Sequence, residues 1–231
     1  SGKSTLLKAI SGDIPFSGLI KINGENISKL KAYELAWMRA VLPQSSSLAF
    51  PFTVGEVVRL GLTSTSADIN KTEMKNIQLE ALEKVGLLGI ENRLYQKLSG
   101  GEKQRVQLAR ILAQVWHPIY NGTPRWLLLD EPISSLDIAH QLLIMNLARE
   151  FARSGGGVVV VMHDLNLSAM YADWIYLIHA NRVLISGNPD KVISDASLSE
   201  AYSCKVQTRK KPESSIPWVL PHQASLNKKI V

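Results

Sequence analysis

The sequence predicts an α/β fold organised on a parallel sheet, and three observations carry that prediction. Leu127-Leu128-Leu129 runs without alternation into Asp130-Glu131-Pro132. Such a run suits a strand buried on both faces of a parallel sheet, with its acids emerging at the strand end into a polar cleft. Val158–Met162 is a second uninterrupted apolar run, and it ends on His163-Asp164. At the front, Ser1-Gly2-Lys3-Ser4-Thr5 feeds a helical pattern in which Leu6, Leu7 and Ile10 share a face and Gly12 is the stop.

Composition sets the bounds. A chain of 231 residues with 45% hydrophobic content forms one large α/β domain or two small ones. No apolar run approaches the roughly 20 residues of a membrane-spanning helix. Cys204 is the only cysteine, which excludes an internal disulfide and a cysteine-based zinc cluster. The formal charge of +6 is scattered. Modest basic clusters at Lys29–Lys31, Arg209–Lys211 and Lys228–Lys229 lack the interleaved aromatics of a nucleic-acid platform, so they read as solvated surface. The first residues read as the end of a motif rather than its beginning, so a preceding segment is expected.

Ser1–Thr5 matches the back half of a P-loop, G-x-x-x-x-G-K-[ST]. Glycine lets the backbone approach a phosphate, lysine reaches the β/γ-phosphates, and the Ser4 hydroxyl suits Mg²⁺, beside a helix N-terminus of partial positive charge. A bare GKST is a common string and decides little alone. Phe16–Gly24 reads as a short strand pair with a turn at Asn23-Gly24, followed by a helix over Ala32–Arg39 and a short strand Val41–Gln44. A mostly helical stretch follows, with Thr53 capping a helix through Leu60 and Thr72 opening a longer one. Leu98-Ser99-Gly100-Gly101-Glu102-Lys103-Gln104-Arg105 then places a Ser-Gly-Gly turn at a helix start, an anion site by its backbone N–H groups. Trp116–Arg125 reads as a surface loop before the strand Trp126–Leu129. Helices over Ile138–Arg153 and Leu165–Tyr171, strands near Ile175–Ile178 and Val183–Ile185, helical pieces at Pro189–Ile193 and Leu198–Tyr202, and an extended tail with a strand at Ile216–Leu220 complete the order.

In open α/β sheets ligands bind outside the carboxyl ends of strands. Asp130 is thereby a candidate Mg²⁺ holder and Glu131 a candidate base for an attacking water. Taken alone, the hexapeptide fits equally a strand that ends in a solvated acidic turn. Likewise Gln44 fits a polar strand end, and Ser134, Ser135 and Asp137 fit a helix cap.

LSGGEKQR followed by LLLDEP resembles the signature motif and Walker B of ABC-type ATPases. GKST resembles the end of their Walker A, Gln44 stands at their Q-loop, Ser134-Ser135-Leu136-Asp137 resembles the D-loop, and His163 the switch histidine. These motifs, in the family's order, span nearly the whole chain. The resemblance implies a P-loop NTPase core of the RecA-like type, residues 1–45 and 115–231, with a helical signature subdomain inserted at 46–114. It implies ATP and Mg²⁺ as cofactors. Ser1, Gly2, Lys3, Ser4 and Thr5 would hold phosphates. Ser4, Gln44 and Asp130 would hold the metal. Glu131 would polarise the attacking water, and His163 would sense the γ-phosphate. Ser99, Gly100, Gly101 and Asp137 would face nucleotide held by a second copy, so that ATP closes a homodimer. Two transmembrane permease subunits and a periplasmic solute-binding protein are the implied partners, with the chain at the cytoplasmic face of the inner membrane and no nucleic acid bound.

Among these ATPases the chain is most similar to those serving importers of iron chelates, haem and cobalamin. Ser47–Val58, Ala113–Trp116, the loop before Pro124-Arg125-Trp126-Leu127 and Asp137–Gln141 are similar to the hemin-import subunits. These segments lie outside the chemistry. The rival classes are a siderophore or cobalamin importer and a soluble ABC ATPase of DNA repair or translation. The last usually carries a long coiled-coil insert or a second cassette. A non-catalytic scaffold is expected to lose Glu131 or His163, and both are present. Ile133 departs from the family's usual Thr, and the aromatic that stacks on adenine falls in the segment expected ahead of Ser1.

Overall fold

The computed structural model describes residues 2–44, 48, 50–63, 69–134, 136–210, 217, 219–221, 224 and 226. Two compact units form, one built on Leu7–Val161 and the other on the residues up to Leu6 with Met162–Ser225. Ser1, Ser135 and His222, with parts of Ser47–Val58 and of the tail strand Ile216–Leu220, lie outside the described residues.

Helix α1, Lys3–Ser11, ends at Gly12, whose φ of 76° is the left-handed conformation that closes helices. Strands β1 (Lys21–Ile22) and β2 (Glu25–Asn26) pair antiparallel. The turn falls at Asn23-Gly24 as expected, but the second strand, Glu25–Asn26, lies beyond the expected Phe16–Gly24. Asn23 and Gly24 both have positive φ, 52° and 86°, as a two-residue hairpin loop requires. Helix α2 (Ala32–Met38) leads into β3 (Arg39–Leu42).

Three helices follow. Thr53 starts α3 (Val54–Leu62) with a reciprocal capping box to Glu56. Helix α4 (Lys71–Lys84) begins at Asn70, whose Oδ1 accepts from the Glu73 N–H at 2.9 Å, not at Thr72. Asn ranks above Thr as an N-cap, and it stands two residues earlier. Helix α5 (Gly100–Gln114) packs on both, through Val57, Val58 and Leu62 of α3, Ala81 and Leu82 of α4, and its own Val106, Leu108 and Ile111, all buried.

Where a surface loop is expected, β4 (Ile119–Tyr120) and β5 (Thr123–Pro124) form a hairpin, again across an Asn-Gly pair with positive φ, 48° at Asn121 and 75° at Gly122. Arg125 behind it is buried, its guanidinium lying 5.1 Å from the Trp37 ring centre and 4.6 Å from that of Tyr120.

Strand β6 (Trp126–Asp130), helix α6 (Ile138–Arg153) and strand β7 (Gly157–Val161) complete the larger unit. Its parallel sheet runs β3-β6-β7, with Leu42 opposite Leu129 and Asp130 opposite Val161. The expectation of a doubly buried central strand holds for β6, since Leu127, Leu128 and Leu129 are at most 1% exposed. On one face Leu128 joins Leu7 and Val161, with Ile10, Val41 and Val159 against them. Trp126 packs against Ile22, Ile27 and Leu35. Strand β7 stands at the edge of the described sheet, so Val158–Val160 are half-buried rather than buried.

In the smaller unit, α7 (Leu165–Tyr171) precedes an antiparallel pair, β8 (Ile175–His179) and β9 (Arg182–Gly187). Helices α8 (Pro189–Val192) and α9 (Asp195–Tyr202) follow. Asp195 accepts from the Thr208 N–H and hydroxyl, both at 2.7 Å, which pins the segment after α9. No helix among the described residues is long and apolar enough to cross a membrane.

Candidate functional site

Each unit carries its own group of motif residues. In the smaller unit Gly2 has φ 85°, and a Cβ there would come within 3.1 Å of Asn181 Oδ1. The backbone conformation therefore requires glycine, and the Asn181 side chain would have to yield slightly to any larger residue. Lys3, Ser4 and Thr5 occupy the first turn of α1, where leading N–H groups give a helix its anion affinity. His163 immediately precedes Asp164, which caps α7 by accepting from the Leu167 N–H at 2.8 Å.

In the larger unit Asp130 closes β6 and is 4% exposed. The chain then turns sharply. Glu131 has φ 50°, left-handed for a residue with a side chain, at a cost of roughly 1–2 kcal/mol. Such a conformation persists only where its surroundings hold it. Here the Glu131 N–H donates to Val161 O at 3.1 Å. The Gln104 amide of α5 donates to Pro132 O at 2.5 Å and to Glu131 O at 3.3 Å. Gln44, two residues past β3, donates through Nε2 to Glu131 Oε2 at 3.0 Å. The parallel register that sets Leu42 beside Leu129 is what brings these two side chains together. Ile133 is 6% exposed, so its extra apolar surface is buried where the family's hydroxyl would be.

Ser99 is the N-cap of α5: its Oγ accepts from the Glu102 N–H at 3.3 Å, and Glu102 Oε2 accepts from the Ser99 N–H at 2.8 Å. Those bonds from Ser99, with Arg93 and Arg105 nearby, hold the Glu102 carboxyl below the usual carboxylate range. A depressed folded-state value gives stability that is present above the unfolded value, about 4.3, and is lost as pH falls through the folded one. Glu102→Gln, which keeps an acceptor for the capping box but loses the charge at the helix start, is accordingly expected to lower stability at pH 7 by only about 0.3–0.5 kcal/mol, read as a lower denaturation midpoint. The difference from wild type should shrink as pH falls below the unfolded value and close only below the folded one, as followed by denaturation at a series of acid pH values.

Gly100 has open space around it, whereas a Cβ on Gly101 would meet Leu136 Cδ2 at 3.1 Å. Asp137 caps α6, accepting from the His140 N–H at 2.9 Å and pairing with His140 Nδ1 at 2.8 Å. Hydrogen bonds from His140, and the charge of Arg105, hold its carboxyl low. The capping alternative for Asp137 is thus realised, and it leaves a carboxylate at the start of a 16-residue helix.

Sequence reasoning missed the glutamines of α5. Besides Gln104, Gln107 donates to the Tyr95 hydroxyl at 2.9 Å, and Gln114 donates to Ala36 O at 2.9 Å and Arg39 O at 3.1 Å. Three uncharged amides in one amphipathic helix were the available signal: they can be packed inward against a carbonyl or a hydroxyl at a cost that Lys or Glu would exceed.

A family model described as ABC transporter matches residues 1–134. The hemin import ATP-binding protein HmuV of Jannaschia sp. (strain CCS1) is 54% identical over 97% of this chain and 82% of its own length. That of Bartonella quintana (strain Toulouse) is 52% identical over 97% of this chain and 85% of its own. Among solved structures, an inward-facing ABC transporter of metal-chelate type superposes with a TM-score of 0.69 at 25% identity, covering 87% of this chain and 73% of that one. The cbiO1 subunit from Clostridium perfringens, part of the complex cbiONQ, gives 0.68 at 25% identity, covering 86% and 77%. The α/β fold is therefore of the P-loop ATPase type. With half of all residues shared along almost the full chain, this protein belongs to the ABC transporter family.

Proposed function

We propose that this protein is the ATP-binding and ATP-hydrolysing subunit of an importer whose cargo is hemin. The observation that carries the cargo is the identity of 54% and 52% to two hemin import ATP-binding proteins across 97% of the chain. The neighbour of metal-chelate type, at 25% identity, supports the broader reading of a siderophore or cobalamin importer less strongly.

The chemistry is phosphoryl transfer to water, in which a protein mainly positions groups and neutralises charge. Gly2, Lys3 and Thr5, with Ser1 before them, hold phosphates. Glu131 takes the water's proton, and His163 contacts the γ-phosphate. Ser4, Gln44 and Asp130 would hold Mg²⁺, which would supply charge neutralisation at the phosphates. Hydroxyl, amide and carboxylate are the hard oxygen donors Mg²⁺ prefers. Ser99, Gly100, Gly101 and Asp137 face nucleotide held by a second copy of this chain. ATP then favours the closed homodimer, and its hydrolysis returns the open one.

Residues 46–114 form the signature subdomain that, with Gln44, passes this motion to two permease subunits. A periplasmic hemin-binding protein delivers cargo from the far side, and this subunit sits peripherally at the cytoplasmic face of the inner membrane. Reconstitution of the full-length protein with its permease in liposomes tests the proposal. Hemin-loaded binding protein is expected to stimulate ATP hydrolysis and hemin uptake severalfold. Stimulation by a ferric siderophore or cobalamin carrier instead, with none by hemin, overturns the cargo.

A further inference from the structure

The Ser-Gly-Gly turn and the Glu131 loop serve different nucleotides in the proposed dimer, yet they are joined inside one chain. We propose that Gln104 is the positioning residue through which the signature turn of α5 sets the Glu131 backbone; this rests on the dimeric ATPase reading above.

The joint has a definite geometry. Gln104 lies one helical turn into α5, directly behind the Ser99–Glu102 capping box that locks the helix start. Its Nε2 reaches out of the helix to two consecutive carbonyls, Pro132 O at 2.5 Å and Glu131 O at 3.3 Å. Glu131 is the residue with left-handed φ, and its N–H is already fixed on Val161 O of β7. The Glu131 carbonyl also accepts from the Ser134 N–H at 3.4 Å within its own turn, so what holds this carbonyl moves with the turn as a whole. Gln104 ties it to α5. A second contact runs parallel to the first: Gly101 packs so closely on Leu136 that a Cβ would stand 3.1 Å from Leu136 Cδ2. The neighbouring Arg105 turns the other way, donating through Nη1 to the carbonyls of Val85 and Gly86 at the end of α4. Adjacent residues of α5 therefore grip the helical layer and the Glu131 loop, and a shift of the helix start is carried to both.

The consequence is directional. In the dimer, the signature turn of one copy answers to nucleotide held by its partner. Displacement of that turn reaches, through Gln104, the base that serves its own copy's nucleotide. Gln104 touches no reacting atom in this scheme; it makes the competence of one site depend on occupancy of the other.

The test uses full-length protein assembled with its permease, with wild type measured alongside. Gln104→Met keeps the side-chain volume and removes the donor. We expect kcat to fall about tenfold with KM for ATP within about twofold of wild type. The Hill coefficient for ATP should drop to about 1, and the melting temperature should stay within about 2 °C. Gln104→Lys, which restores a donor of sufficient reach, should recover kcat to within about threefold. Gln104→Asn, one methylene short, is the second loss-of-contact variant if the methionine form does not fold. Wild-type kcat and Hill coefficient in the methionine or asparagine variant overturn the proposal. So does a loss of rate that matches a loss of folded protein and leaves the Hill coefficient unchanged. Absence of ATP turnover in the wild type overturns the ATPase reading as well, which distinguishes the two failures.

Discussion

Glu131→Gln in the full-length protein is expected to lower ATP turnover by about a hundredfold or more, the usual contribution of a positioned general base. The substitution suits the local geometry. Glutamine keeps the size and one acceptor oxygen, so the hydrogen bond from Gln44 Nε2, 3.0 Å in the native chain, is retained. The backbone of residue 131 is held by Val161 O, the Ser134 N–H and Gln104 rather than by its own carboxylate. What is removed is the charge and the ability to take a proton. Binding of ATP does not need that ability, so the variant should accumulate as the nucleotide-loaded pair of subunits, resolved from monomer by size-exclusion chromatography in the presence of ATP. Phosphate release gives the rate. Turnover at the wild-type level in this variant is incompatible with Glu131 as the base, and failure to isolate an ATP-dependent dimer is incompatible with closure on nucleotide.

Gly61→Ala is expected to destabilise the helical layer although it improves helix propensity. In an open helix interior the change would be favourable by about 0.8–1 kcal/mol. Gly61 is fully inside the contact between α3 and α5, and a Cβ at this position would sit on the backbone carbonyl of Arg110. A flexible side chain could move aside, but a carbonyl in the middle of a 15-residue helix cannot without shifting the whole element. Overpacking of this kind costs typically 1–3 kcal/mol, and the close backbone approach puts it at the upper end. The steric term outweighs the propensity gain, for a net loss of about 2 kcal/mol and a melting temperature lower by about 4–8 °C. Gly100→Ala is the control, since no heavy atom stands within 4 Å of a Cβ there. Thermal unfolding of the two variants checks the pair; equal melting temperatures would mean that helix separation at Gly61 is adjustable.

Much of this was legible in the sequence because it is encoded locally. Leu127–Leu129 could be read as a doubly buried strand, since an apolar run that never alternates has no exposed face to offer. The caps at Thr53 and Asp137 could be read because a cap is a bond between residues three apart. The hairpin at Ile119–Pro124 was not read, although its Asn121-Gly122 pair is the same signal that located the turn at Asn23-Gly24. Two prolines and its position ahead of a strand made it resemble a connecting loop. The Asn70 cap was displaced to Thr72 because two capping residues stood two apart and only their energies choose between them.

By itself the sequence determined which residue types stand at the ends of which strands and helices: a glycine before Lys3, acids after Leu129, a capped glycine turn at Ser99 and a histidine after the valines of β7. Only the tertiary structure decided that Gln44 meets Glu131, that Glu131 is held in a left-handed turn, and that Gln104 reaches back to hold it. The reason is the range of the forces. Capping, periodicity and turn preference act over a few bonds and leave a trace in consecutive residues, whereas a parallel register joins residues 87 apart and leaves none.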